Sequence, residues 1–457
     1  MSTIAQVADI LHRVLTTTAV AVGRATGAVQ RRSKLDGATL VQTLVLGWAH
    51  RPQATLEQLS QMAATLGAPV TPQGLDQRFT APLADCLEQV LATAVRQVVV
   101  SDPVAIPLLA RFGAVTVQDS STIALPAVFA TRWRGTGHRH AVAASTAALK
   151  VQVRCDLCTG RLEGPLLEDG RAQDKAAVLQ DQQLAPLPAG ALRLADLGYF
   201  SLDVLQALET AGVFFLSRLQ VQTAVFDAAG RRLDVVAHLR RAGGAPVDLP
   251  VALGTTARVP ARLLAVRVPQ AVADERRRRL WVAARKKGQM VSQARLRWAD
   301  WTLSVTNAPA TLLTLDEAQI LYRARWQIEL LFKLWKQHGH VDEWRSTKPW
   351  RILCEVYAKL LAVVVQHWLL VVSCWRFPDK SLVKATQTLR SHTPLLASAF
   401  AGLLPLVAVL DQLTRLLAAG CRLNPRKTAP NTYQLLLALD PDPRVPLPLP
   451  APLLHAA

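Results

Sequence analysis

Residues 322–336 read YRARWQIELLFKLWK. Tyr322, Arg325, Glu329 and Lys336 are separated by steps of 3, 4 and 7 residues. That spacing predicts a helix with all four side chains on one face. A carboxylate flanked by two cations and a phenol can hold a metal ion while its neighbours hold phosphates. With residue frequencies of roughly 3–6 %, the spacing should arise by chance in on the order of one chain in several hundred. Glu329 also has a plainer reading, a surface ion pair with Arg325 four positions earlier. The joint pattern is what carries weight.

Two further acids stand in contexts that suit the same chemistry. In VTVQDSST a short strand over 114–118 ends at Asp119, and in LRLADLGYF a strand over 192–195 ends at Asp196. A carboxylate just past a buried strand projects from the sheet edge, where α/β folds place their sites. Asp119, Asp196 and Glu329 would supply three acidic oxygen ligands, the donor type that Mg²⁺ takes. An aspartate after a strand is also commonly a cap or turn former. Asp174 and Asp203 are rival acids, each read on or at the start of a helix.

Around these residues the pattern is α/β. Strands are expected over 147–157 and 161–167, joined by a Cys158-Thr159-Gly160 turn. A helix over 174–180, one over 201–211 and a strand over 213–219 follow. Strands alternating with helices in this order imply a mixed sheet. Residues 220–300 read as a β-rich insertion, with strands over 261–268 and 279–284. The strand Trp301–Thr306 then alternates, placing Trp301, Leu303 and Val305 on one face. Thr55 with Gln58, and Thr314 with Glu317, form capping-box patterns. The second opens a helix expected to run to about residue 337, with Gly339 as its stop. The resulting division is a helical DNA-binding region 1–105, a core in two parts, 106–219 and 301–345, around the insertion 220–300, a helical region 346–440 and a proline-rich tail 441–457. In the first region, the helix–turn–helix order with Thr71-Pro72 opening the second helix suits DNA binding; an ordinary helical hairpin fits it equally.

The chain of 457 residues carries a formal net charge of +19. An excess of that size implies a polyanionic partner, and nucleic acid is the leading one. A generally basic protein is the bland alternative. Arg276, Arg277, Arg278 and Arg279, with Arg285, Lys286 and Lys287, would give the insertion a phosphate-binding surface or merely a solvated charged face. Arg132, Arg134, His138, Arg139 and His140 follow the first aspartate and could line the same path. The six cysteines are too sparse for a disulfide scaffold and imply a reducing compartment. Cys155 and Cys158 form a lone C-x-x-C; with His138 and His140 upstream a zinc site is conceivable, beside the reading of two small residues on a strand and its turn. The apolar stretch 357–375 is interrupted by Lys359, Gln366 and His367 and reads as a buried helix rather than a membrane span.

Tyr322, Arg325, Glu329 and Lys336 match the Y-x2-R-x3-E-x6-K signature, and the chain resembles the insertion-sequence-four (IS-four) family of bacterial DDE transposases, to which the Tn-five transposase is related. Asp119-Ser120-Ser121-Thr122 followed by Leu125-Pro126 resembles the family's first-aspartate block, and Asp196-Leu197-Gly198-Tyr199-Phe200 its second. The resemblance covers roughly residues 40–375.

The resemblance implies an RNase H-like core with a β-strand insertion between the second aspartate and the glutamate, here 133 positions apart. It implies that Asp119, Asp196 and Glu329 bind two Mg²⁺ ions, with Mn²⁺ able to substitute. Water would free a 3′-hydroxyl at the element's end. That hydroxyl would attack the opposite strand to give a hairpin, later opened, and the freed ends would attack target DNA. Tyr322, Arg325 and Lys336 would contact DNA phosphates, and Trp301 would stack a flipped base; Trp298 competes for that role, and Trp301 also fits a core face. The partners implied are double-stranded DNA and a second copy of the chain in the DNA complex, in the bacterial cytoplasm on the nucleoid, with no membrane. The alternative is a catalytically inactive relative that binds element ends as a regulator.

Overall fold

The computed structural model describes residues 2–31, 34–136, 146–172, 186–286, 288–424 and 431–439. The chain divides into two compact units, the first built from 1–105, 118–172 and 327–424, the second from 106–117, 173–326 and 425–457. The helix expected over 174–180, the residues His138, Arg139, His140 and Lys287, and the tail 441–457 lie outside the described residues.

Nine strands are described: β1 (Val115–Leu125), β2 (Ala147–Asp156), β3 (Leu162–Asp169), β4 (Leu192–Ala195), β5 (Phe214–Arg218), β6 (Val225–Phe226), β7 (Val247–Leu253), β8 (Val259–Arg267) and β9 (Trp301–Thr306). Hydrogen bonding orders them β3-β2-β1-β4-β5-β9-β8-β7-β6. β4 pairs parallel with β1, Val115 opposite Leu192 and Val117 opposite Leu194. β4 also pairs parallel with β5, and β9 joins β5 antiparallel. The helix Leu202–Thr210 supplies the crossover that a parallel β4–β5 pair requires. This mixed sheet, flanked by helical regions, is consistent with the expected RNase H-like fold.

The insertion extends the sheet antiparallel through β8, β7 and β6. Val259, Ala261, Leu263 and Ala265 alternate onto the face that also buries Leu303 and Val305, and Trp298 and Trp301 pack at its margin. It is not strand throughout. Residues 279–284, expected as a strand, belong to the helix Gln270–Lys286. Leu280, Val282 and Ala284 imitate a strand's alternation, but Glu275 pairs with Arg278 and Arg279 at helical spacing and supports the helix.

In the first unit, the capping boxes at Thr55 and at Thr3 open the helices Leu56–Thr65 and Ile4–His12. The long helix Pro349–Leu370 packs against the helices Gly37–His50 and Ala81–Ala94. With its continuation to Trp375 it is long and apolar enough to cross a membrane, yet 89 % of its most apolar window is buried inside the protein. Its end holds the β2–β3 hairpin. His367 Nε2 lies 2.7 Å from the Gly160 carbonyl, and Trp375 Nε1 donates to the Leu157 carbonyl at 3.2 Å. Asp156 organises that turn by accepting from the Cys158 and Thr159 amides. Cys155 and Cys158 are thus buried residues on a strand and its turn, and all six cysteines are free.

Candidate active site

The signature residues do not share one continuous helix. The helix Leu315–Arg323 carries Tyr322, and the helix Trp326–Gln337 carries Glu329 and Lys336; Arg325 sits in the turn between them. The Ala324 and Arg325 amides bond back to the Leu321 and Tyr322 carbonyls, three residues earlier, which tightens the chain and ends the first helix. The expected single face over all four residues is therefore replaced by two short faces and a turn.

In the second unit, Asp196 follows β4 by one residue and caps the short turn Leu197–Tyr199. Its Oδ1 accepts from the Gly198 amide at 2.7 Å. Tyr322 is buried and its hydroxyl donates to the Ala195 carbonyl, immediately before Asp196, at 3.2 Å. Two guanidinium groups stand over its ring, Arg218 at 5.0 Å and Arg325 at 5.8 Å from the centroid. Burial raises the Tyr322 pKa; the two arginines oppose that rise and the Asp196 carboxylate adds to it. Arg218, at the end of β5, has its pKa lowered, by burial first and with Arg325 contributing. Arg276 is likewise lowered, by burial and by Arg218. Behind burial, Arg325 thus disfavours the charge on Arg218 and Arg218 that on Arg276, beside one phenol and one aspartate. An anion placed among them would relieve that repulsion.

Arg218 is the residue that motif reading missed. Its signal was available in VFFLSRL, where a cation ends a buried strand much as Asp196 does. Arg276 is held to β9, its Nη1 donating to the Trp301 carbonyl at 2.9 Å and its Nη2 to Thr302 Oγ1 at 3.1 Å. Arg277 bridges Asp274 and Asp300. Arg278 and Arg279 share Glu275 and remain exposed.

In the first unit, Asp119 does not end its strand. β1 continues six residues beyond it, because Thr122 and Ile123 are β-branched and Ile123 and Leu125 are buried to either side of exposed Ala124, an alternation that Asp-Ser-Ser had seemed to close. Asp119 Oδ1 accepts from the Ser120 amide at 2.8 Å. Lys336 reaches the same strand, donating to the Thr122 carbonyl at 3.2 Å, with Asp342 Oδ2 at 3.5 Å. Glu329 is half-buried on the first turn of its helix, whose apolar face buries Ile328, Leu331, Phe332 and Trp335. Arg132 is paired with Asp85 and Glu88, and Arg134 with Asp169, so both have protein partners. Of the rival acids, Asp203 lies exposed on the first turn of Leu202–Thr210, and Asp174 is outside the described residues.

The donor set fits a hard divalent cation, since all three acids offer carboxylate oxygens. Among the described residues, no three Asp, Glu, His or Cys side chains gather into a metal-holding group.

Comparison with known proteins gives the family of the chain. Residues 111–365, more than half of the chain, match the family model described as "Transposase DDE domain". The chain is similar to the transposase for insertion sequence element IS231E of Bacillus thuringiensis subsp. finitimus, 26 % identical over 380 residues that cover 78 % of each chain. It is similar to the transposase for insertion sequence element IS1151 of Clostridium perfringens, 24 % identical over 280 residues, 57 % of this chain and 58 % of the relative. A putative transposase InsL for insertion sequence element IS186A of Escherichia coli (strain K12) is 31 % identical over 183 residues, 38 % of this chain and 50 % of the relative.

Proposed function

Because this chain belongs to the transposase DDE domain family, we propose that it cuts DNA at the ends of an insertion sequence and joins them to new DNA. The IS-four signature in Tyr322, Arg325, Glu329 and Lys336 supports the narrower assignment within that family. The observation that carries the reading is the group of Arg218, Tyr322 and Arg325 beside Asp196. It combines a carboxylate with two guanidinium groups held over a buried phenol whose hydroxyl fixes the adjoining backbone, a complement for a phosphodiester under attack.

In this reading Asp119, Asp196 and Glu329 are the catalytic carboxylates and would hold Mg²⁺, or Mn²⁺ in its place. When bound, two such ions would activate the attacking oxygen and offset charge on the leaving one. Arg218 and Arg325 bind the non-bridging phosphate oxygens by charge-assisted hydrogen bonds. Tyr322 holds the Ala195 carbonyl and so fixes the backbone that presents Asp196. Lys336 supplies a further cation on the DNA path. Cleavage breaks a P–O bond, with water's oxygen joining phosphorus and the 3′-oxygen leaving as a hydroxyl. In transfer, that hydroxyl attacks a second phosphodiester, so the number of P–O bonds is conserved. Trp301 serves as the stacking platform for a base displaced at the end, and two copies of the chain act together on paired ends.

The test is cleavage of a labelled duplex carrying the terminal inverted repeat that flanks the gene, by wild type and Glu329→Ala. Mg²⁺-dependent cutting at the end, lost in Glu329→Ala while DNA binding persists, is expected. Binding without cutting by both proteins would replace this reading with the end-binding regulator.

A further inference from the structure

The helix Gln270–Lys286 is anchored over its first turns and open over the rest. Ala273 is buried, and Arg276 and Arg277 tie these turns to Trp301, Thr302 and Asp300. From Arg278 onward most side chains stand in solvent, with Leu280 and Ala284 half-buried. The side chains of Arg278 and Arg279 are 72 % and 66 % exposed, and Trp281 and Val282 are 51 % and 49 % exposed. Arg285 and Lys286 are exposed as well.

Spacing gives this segment a definite face. Arg278, Trp281 and Arg285 fall at helical offsets of 3 and 4, which brackets an indole between two guanidinium groups. Beside it, Glu275, Arg278, Arg279, Val282, Ala283 and Lys286 form a continuous open strip along the same helix. Glu275 pairs with both Arg278 and Arg279, and Arg285 and Lys286 add two further cations along the same segment, so it carries excess positive charge. A half-exposed tryptophan inside such a charge field is the composition of a surface that meets phosphates and base edges. A protein interface core would be depleted in those charges.

We propose that Arg278–Lys286 is an arm that lies along the duplex of the element end, its cations on phosphates and Trp281 against the groove edge. The inference rests on the reading of the chain as acting on DNA ends. The end being processed is the source of the duplex because the arm's root is β9, the strand that starts at Trp301 and that Arg276 ties to the Arg218 group. Nine helical residues reach about 13 Å, the length of about four base pairs.

The test uses the full-length chain and two variants, Trp281→Ala and the triple variant Arg278→Gln, Arg285→Gln, Lys286→Gln. Binding to the labelled end duplex is measured across salt concentrations, with hydroxyl-radical footprints in parallel. The triple variant should bind at least about tenfold more weakly at low salt. The slope of log affinity against log salt should fall by about two to three, and the footprint should shorten by about four base pairs. Trp281→Ala should weaken binding about three- to tenfold with the slope unchanged. Melting curves should match wild type, since these side chains face solvent. Wild-type affinity, slope and footprint in both variants would overturn the arm while leaving the active-site reading intact. A change in oligomeric state with DNA binding intact would overturn it in favour of a protein-contact face. A wild type that does not prefer its own end duplex would remove the underlying reading and the arm with it.

Discussion

Burial lowers the pKa of Arg218 and of Arg276, with Arg325 adding to the first and Arg218 to the second, and Arg218 and Arg325 share the Tyr322 ring. Folding has placed repelling charges together, and a polyanion bound there would offset that repulsion. Arg218→Gln should therefore leave the fold as stable as wild type or more so, while end cleavage falls about tenfold to hundredfold. Thermal melts and single-turnover cleavage, measured side by side, check both halves of that statement. A second residue-scale consequence concerns His367. Complete burial pushes its pKa down to about 4, and its neutral ring faces the Gly160 carbonyl. The unfolded ring titrates near its ordinary value of 6.5, so between the two values the unfolded chain binds more protons than the folded one. Stability should be full above about pH 6.5 and fall by about 1.4 kcal/mol per pH unit as the pH drops toward 4. His367→Gln should flatten that part of the pH–stability profile.

Elements show which parts of the fold local chemistry announces. The helix Pro349–Leu370 buries an ion pair, Lys359 to Glu355 at 2.7 Å, with side chains 1 % and 3 % exposed. Burial pushes the Glu355 pKa up and the Lys359 pKa down, and Lys359 also donates to the His340 and Glu343 carbonyls. Lys359→Met should cost about 3–5 kcal/mol by leaving a buried carboxylate without its cation, and Lys359→Met with Glu355→Leu should recover much of that. Chemical denaturation of the two variants measures the difference. The capping boxes at Thr55 and Thr314 and the alternation of β9 were legible in sequence because each is a local signal with a fixed offset. The break at Ala324–Arg325 was not, because neither Gly nor Pro marks it and the helical spacing of the signature runs straight through it. β1 was cut short for the opposite reason: Asp119-Ser120-Ser121 has turn composition, yet the strand continues to Leu125. The helix Gln270–Lys286 hid behind a brief alternation that its charge pairs outweigh. Among the candidate residues, Asp196 stands after its strand as its sequence context suggests, whereas Asp119 lies within β1. Arg218 was not legible, because its role depends on Tyr322 arriving from a segment about a hundred positions away.

At the scale of the whole molecule, a net charge of +19 on a mixed-sheet protein of the DDE transposase family would account for the proposed binding to DNA in general but not for cutting it. The proposed cutting would require Asp119, Asp196 and Glu329, drawn from three separate parts of the chain, to serve one phosphodiester. The direct measurement is single-turnover cleavage of the end duplex by Asp119→Asn, Asp196→Asn, Glu329→Gln and the triple variant, with DNA affinity determined for each. If the three act as one unit, each single variant should fall to the same floor as the triple variant, at least about a thousandfold below wild type, while affinity for the end stays within a few-fold. A single variant that still cleaves near the wild-type rate, or losses that multiply from single to triple, would contradict the three-carboxylate site.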